Sequence, residues 1–351
     1  MIEFGSDFHY IDSYFSGRAH LTDVYRNAML MADGRQSVVA LIRQNGWKRL
    51  WMPEYFCYEV IETIKQQTEA EIEYYHDLPG CDDASVIKQL PFEGGDALFR
   101  VNYFGTRDGR SNKDISVPVI EDHTHDLLGH WALYSDADWC IASLRKTLPV
   151  PMGGMVWGPK GFKVQGSRFK DSGLKIQDSG FKFCEEIAAE RWEGMEMKAH
   201  YLKGETVEKE AFRKKYLETE DWFDVAEPIE IDARTKDFLG QLDINAWQGA
   251  KRRNWELLRS LVNAKCLLPE DDSCTPFSFV VMADSRQERE RLRKRLIERA
   301  VYPAVLWNVP DTVSREVKDF SERMLSIHCD GRYTEDDIRQ LAVIINEAIE
   351  K

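Results

Sequence analysis

The sequence predicts an α/β fold: a βα-type sheet covered by helices on both faces, followed by a smaller α+β C-terminal domain. Three observations point there. Short apolar runs recur between Arg49 and Gly158, segments of helical period lie between them, and the chain turns to charged helix after about residue 160. Strands buried on both faces read as continuous apolar runs, and the intervening helices supply the crossovers.

Taken in order, residues 1–30 are mixed and aromatic-rich without a clear period. A helix is expected over SVVALIRQ (37–44), then a strand over RLWMP (49–53), a helix over Tyr58 to Gln67 and a strand over EIEYYH (71–76). Asp83 to Leu90 reads as helix and ALFRVNYF (97–104) as strand, with further apolar runs at VPVIED, DWCIASL and GGMVWG. GPKGFKVQGSRFKDSG (158–173) has the Gly, Lys and Ser content of an exposed loop, and residues 184–216 read as one solvated helical stretch. In the last third, TPFSFVVMA reads as strand, QERERLRKRLIERA as amphipathic helix and DDIRQLAVIINEAIE as a terminal helix with an apolar stripe. The expected division is a large domain over 1–240, with a divergent charged region at 160–240, and a small domain over 241–351.

Composition narrows the function classes. A formal net charge of −13 weighs against nucleic acid and against an anionic membrane surface as partners. No apolar run approaches the roughly 18 residues of a membrane span. Seven cysteines without a CxxC pair, and an N-terminus unlike a secretory signal, suit the reducing cytoplasm. GxGxxG after the first strand, GxxxxGK[ST] and HExxH are all absent. The HTH of 123–125 beside Asp122 and Asp126 has no second carboxylate or histidine cluster, so no metal is assigned.

Three stretches carry more. Gly34, Arg35, Gln36 and Ser37 open an apolar helix, where backbone N–H groups and the helix dipole suit a phosphate, although Gly-x-x-Ser is also an ordinary helix start. Glu121 and Asp122 end a strand and point a carboxylate into the sheet crevice, or cap the next helix. Lys146 follows another strand in the Pro- and Gly-punctuated SLRKTLPVPMGG, where a nearby protonated imine would lower its pKa toward nucleophile and base work, although a lone Lys in a loop is usually just solvated.

The ordered set GRQS, MPEY, NYFG, VIEDHTH and SLRKTLPVPMGG resembles the DegT/StrS group of sugar aminotransferases, pyridoxal-phosphate (PLP) enzymes of fold type I. KRRNWELL and LSIHCDGRYTEDDIRQLAVII are similar to that family's C-terminal helix and closing segment. The resemblance implies a mixed, mostly parallel sheet flanked by helices. It implies catalytic roles for Lys146, which holds the cofactor covalently seven residues before Gly153, and for Asp122, which pairs with the pyridine nitrogen. His125 lies by the cofactor; Gly34, Arg35, Gln36, Ser37 and Ser143 hold its phosphate. Tyr103, His328 and Arg332 are candidates for substrate contact. An amino donor such as glutamate, a nucleotide-linked keto-sugar acceptor and a homodimer complete the expectation. PLP-dependent elimination, and a decayed cofactor- or metabolite-binding protein, are the alternatives.

Three departures accompany the resemblance. The Ser143-to-Lys146 gap is shorter than the family's. The family's ring-stacking aromatic falls on Cys57, leaving Phe56 or Tyr58 for that role. Residues 160–250 show no match.

Overall fold

The computed structural model describes residues 2–15, 17, 19–159 and 178–350. Its strands are β1 (Phe4–Gly5), β2 (Met29–Met31), β3 (Arg49–Pro53), β4 (Glu71–Tyr75), β5 (Asp96–Val101), β6 (Val119–Asp122), β7 (Trp139–Ser143), β8 (Gly154–Trp157), β9 (Phe279–Met282), β10 (Val301–Tyr302) and β11 (Met324–Ile327). Seven of them form one sheet in the order β2-β8-β7-β6-β5-β3-β4. β8 runs antiparallel to β2 and β7, while β7, β6, β5, β3 and β4 are parallel. This is the expected mixed, mostly parallel sheet flanked by helices.

The period of two along each strand sorts side chains onto two buried faces. Leu50, Met52, Phe99, Ile120 and Ile141 enter one apolar cluster, whereas Trp51, Leu98, Val119, Cys140 and Ala142 enter another. Burial on both faces explains the uninterrupted apolar runs. Helix Gly34–Asn45 is capped by the Asp33 carboxylate, which accepts from Arg35 N, and ends at Gly46 in the left-handed region (φ 64°). Among the described residues no helix is long and apolar enough to cross a membrane.

β3 and helix Tyr58–Gln67 match the expected ranges. The strand expected over 97–104 stops at Val101, because Tyr103–Gly105 turns into 3-10 geometry with Phe104 and Gly105 at positive φ. The charged stretch at 184–216 divides into helices Asp178–Leu202 and Lys209–Glu220, broken at Gly204 (φ 85°). β2, β10 and β11 are too short for a periodic signal. The loop expected over 158–173 lies outside the described residues except at its first two positions. Toward the C-terminus, β9 pairs antiparallel with β11, and helices Ile244–Leu261, Arg286–Ile297 and Glu335–Glu350 pack on them. β1 pairs with β10, so Phe4 joins this C-terminal cluster.

A fully buried ion-pair network fixes the loop after β4 to the end of β5. Arg107 donates to both Asp77 oxygens (2.9 and 2.5 Å) and to the carbonyls of Leu78 and Val101. Arg100 donates to Asp83 (2.8 and 3.0 Å) and Asn112 (2.7 Å). Removing one partner leaves a buried charge without its counterion. Asp77→Ala is therefore expected to lower stability by about 3–5 kcal/mol, read from urea unfolding; a loss well below 1 kcal/mol would show that the network is not a structural anchor.

Candidate active site

A cavity of about 530 Å³ opens beyond the carboxyl ends of β5, β6 and β7, where the start of helix Gly34–Asn45 meets the loop after β7. Gly34 permits this meeting, since a Cβ there would sit 2.7 Å from the Ser143 Cβ. Gly153 N donates to Ala32 O and Leu144 N to Gly153 O, both at 2.8 Å, stitching β8 to the same seam.

Lys146, in the single turn Leu144–Thr147, reaches into the cavity, so its side chain has accessible surface although protein surrounds it. Among the described residues its Nζ makes no ion pair. The Arg145 guanidinium, followed by burial, depresses its pKa, while Glu220 and Asp33 act in the opposite sense. Arg145 itself donates to Asp33 Oδ1 (3.4 Å) and to Glu220 (2.8 and 3.3 Å). Arg145, Arg191 and Lys146 pull the Glu220 carboxyl down to about 2 against the opposing effect of burial.

Asp122, at the end of β6, also lines the cavity. Its Oδ1 accepts from Thr124 N (2.8 Å), and Thr124 Oγ1 accepts from Ser143 N (2.9 Å), fixing β6 against β7. Burial raises its pKa, and no Lys or Arg among the described residues pairs with it. One cavity thus holds a carboxylate and an amine, each shifted toward its neutral form. That pattern marks functional sites.

His125 is held as a neutral ring, its pKa taken down to about 3 by burial and by Lys251 and Lys146. Nδ1 accepts from Phe104 N at 2.9 Å, so Nε2 carries the proton. Phe104 holds φ 53° to make that bond, a conformation costly for a bulky residue and most often tolerated at working sites. Phe277 (4.4 Å, 28°), Phe104 (5.4 Å, 14°) and Trp307 (5.7 Å, 14°) stack about the imidazole. With aromatic rings against its faces, His125 has its edge for polar contact.

Of the residues singled out from sequence, Gly34, Arg35, Phe56, Tyr58, Asp122, His125, Ser143, Lys146 and His328 line the cavity. Gln36, Ser37, Tyr103 and Arg332 lie off its wall. The Ser37 amide and hydroxyl both return to Asp33 O, and the Gln36 side chain accepts from Ile229 N. Tyr103 is enclosed and donates to Tyr55 O (2.7 Å). Arg332 makes a two-point pair with Asp330 (2.9 Å each) and covers the Phe8 ring. Arg35 pairs with Glu59 (3.1 Å) and Asp224. Tyr58 stacks on Tyr74 (6.0 Å, 21°), whereas Phe56 packs between Phe99 and Trp307. Cys57 faces the cavity as a thiol whose pKa burial raises. Arg145, Phe277 and Trp307 were not singled out. Arg145 was hidden beside Lys146, and the two aromatics join the site only through tertiary packing.

No family model matches the chain and no curated protein is similar to it in sequence. Solved structures are similar to it in fold. Aminotransferase TlmJ from Streptoalloteichus hindustanus is 13% identical, with a TM-score of 0.61 over 94% of this chain and 89% of that one. Spr1654 from Streptococcus pneumoniae, named as a sugar aminotransferase and solved in a PLP form, is 9% identical with a TM-score of 0.64 over 99% of both chains. DesI, solved with its TDP-sugar product, is 14% identical with a TM-score of 0.60 over 92% and 80%. At these identities the likeness establishes the fold: the chain has the α/β fold of these aminotransferases.

The charges around Lys146 make a test of sign. Arg145→Gln removes the cation that most depresses its pKa, so the pH at which Nζ becomes reactive toward an amine-selective reagent should rise. Glu220→Gln should lower it. Mass mapping of modified Lys146 against pH checks both; shifts of the reverse sign would refute this electrostatic account.

Proposed function

We propose that the chain is a PLP-dependent aminotransferase whose acceptor is a keto group, most specifically that of a nucleotide-linked keto-sugar. The observation that carries this reading is the Asp122 carboxylate, without a Lys or Arg partner among the described residues, sharing a cavity with the Lys146 amine whose pKa is depressed. A buried carboxylate without a cation calls for a cationic N–H from a ligand, and an amine shifted toward its neutral form is a nucleophile. The two suit the pyridine and aldehyde groups of PLP. The fold shared with a PLP-form structure supports the cofactor, and DesI's TDP-sugar product supports the acceptor class.

When bound, PLP supplies an aldehyde that condenses with amines and a ring that draws electrons from the bond being broken. Lys146 Nζ would hold that aldehyde until an incoming donor amine displaces it, and the freed amine would then take the donor's α-proton as base and return it as acid. Asp122 would hold the ring nitrogen protonated. His125 Nε2–H would be free to donate to the cofactor from the ring edge. The anion end falls to Gly34, Ser143 and Arg145, and the Asp33 carboxylate already capping that helix makes the Arg145 charge necessary there. Of the nearby aromatics, Phe56 and Trp307 are placed to wall the ring. Glutamate is the proposed amino donor, and a homodimer the proposed assembly.

Purified protein incubated with PLP should give the yellow band of the bound cofactor, lost in Lys146→Ala; no wild-type band would overturn the reading. Added glutamate should convert the band to that of the amine form, with Asp122→Asn slowing conversion by about 10²- to 10⁴-fold, the range for a lost acid–base or electrostatic contribution. A band unmoved by glutamate and other amino donors would favour elimination or simple binding.

A further inference from the structure

Away from the cavity, the loop after β4 and the first turn of helix Arg315–Arg323 bring His76, Cys81 and Glu316 together. One ring nitrogen of His76, Cys81 Sγ and one Glu316 carboxylate oxygen all lie within 4.8 Å of one another. We propose that these three side chains bind a divalent metal ion of the zinc class, with a fourth position left for water.

The donor types fit. Imidazole, thiolate and carboxylate are the ligands zinc takes, and metal sites with three protein ligands keep one position open. The polar contacts of His76 orient it for the same role. Its Nδ1 lies 3.1 Å from Ser314 Oγ and 3.2 Å from Glu54 Oε2, and its Nε2 lies 3.4 Å from Glu316 Oε2. Nδ1 is thus engaged by two groups, and Nε2 is the nitrogen that faces the Glu316 carboxylate, where a cation would be held by both. Glu54 is itself oriented, since Oε1 accepts from Ser314 N (3.2 Å), and a carboxylate that fixes a ligating histidine's other nitrogen is the usual outer support of a metal.

The surroundings hold the ligands before any ion arrives. Asp77 and Asp83, which flank Cys81 in the same loop as His76, are locked by Arg107 and Arg100. Cys81 N closes a turn onto Leu78 O (3.1 Å). Glu316 is 70% exposed, so an ion reaches the site from solvent. The ion would join β4, the edge strand of the sheet, to helix Arg315–Arg323. That helix supports the cavity wall, because Ser321 Oγ donates to Trp307 O (2.6 Å) and Lys318 Nζ to Val309 O (3.2 Å). The metal would brace this wall from outside. The proposal stands apart from the cofactor reading and survives its failure.

Cobalt(II) titrated into the chelator-treated full-length protein tests it. A thiolate-to-cobalt charge-transfer band should saturate at one ion per chain, be displaced by zinc, and vanish in Cys81→Ser and in His76→Ala. Glu54→Gln should keep the band but weaken binding about 10- to 100-fold, as loss of outer support does. No band, or a band that survives both ligand variants, would overturn the proposal. So would a band lost only in Cys140→Ser, which would assign it to the enclosed Glu121, His123 and Cys140 cluster. Should the variants fail to fold, zinc protection of Cys81 from alkylation in the wild type decides the matter: a protected thiol supports the site, an unprotected one refutes it.

Discussion

Three backbone segments meet without a side chain between them at Gly34, Ser143 and Gly153–Gly154, and the candidate site depends on that closeness. Any Cβ on Gly34 would strike Ser143, and one on Gly154 would strike the backbone of Asp33. The seam sets the start of helix Gly34–Asn45 against the end of β7. One turn further on, Arg145 and Lys146 project into the same space as Asp122 from β6. Parallel strands end together by construction, so a crevice at their carboxyl ends gathers residues distant in sequence. Here it gathers Asp33, Gly34 and Arg35, Asp122, Thr124 and His125, and Ser143, Arg145 and Lys146.

Electrostatics then differentiates the groups so gathered. Among the described residues no Lys or Arg pairs with Asp122, and burial disfavours its charged form. Lys146 lies beside Arg145, whose charge works against a second cation. Arg145 is in turn held by Asp33 and Glu220, so the amine is tuned by a guanidinium that two carboxylates fix in place. The helical region that supplies Glu220 and Arg191 thereby reaches the cavity, although it carries no recognisable motif. His125 completes the arrangement as a neutral ring whose tautomer is set by the strained backbone of Phe104.

Much of this was legible in sequence because it is local. β3 and helix Tyr58–Gln67 follow from apolar period and end signals within a few residues, and the spacing of Asp122, Ser143 and Lys146 survives as adjacency in space. Other features depend on what packs against them. Tyr103 and Arg332 look like substrate contacts by their chemistry, yet their polar atoms are taken by Tyr55 O and Asp330. Ser37 looks like a phosphate ligand, yet both its polar groups close on Asp33 O. Trp307 and Phe277 border the site from the C-terminal third, and no local pattern foretells that. The His76, Cys81 and Glu316 cluster has the same character, since Glu316 lies far along the chain from the other two.

The central claim is that the Lys146 amine, placed by this seam and tuned by Arg145, is the group that engages PLP. Borohydride reduction of the protein after incubation with PLP, followed by peptide mass mapping, addresses it directly by fixing the cofactor to whichever amine holds it. The account predicts a single phosphopyridoxyl group per chain, on Lys146. Label on a different lysine with Lys146 unmodified, or no label, would contradict it.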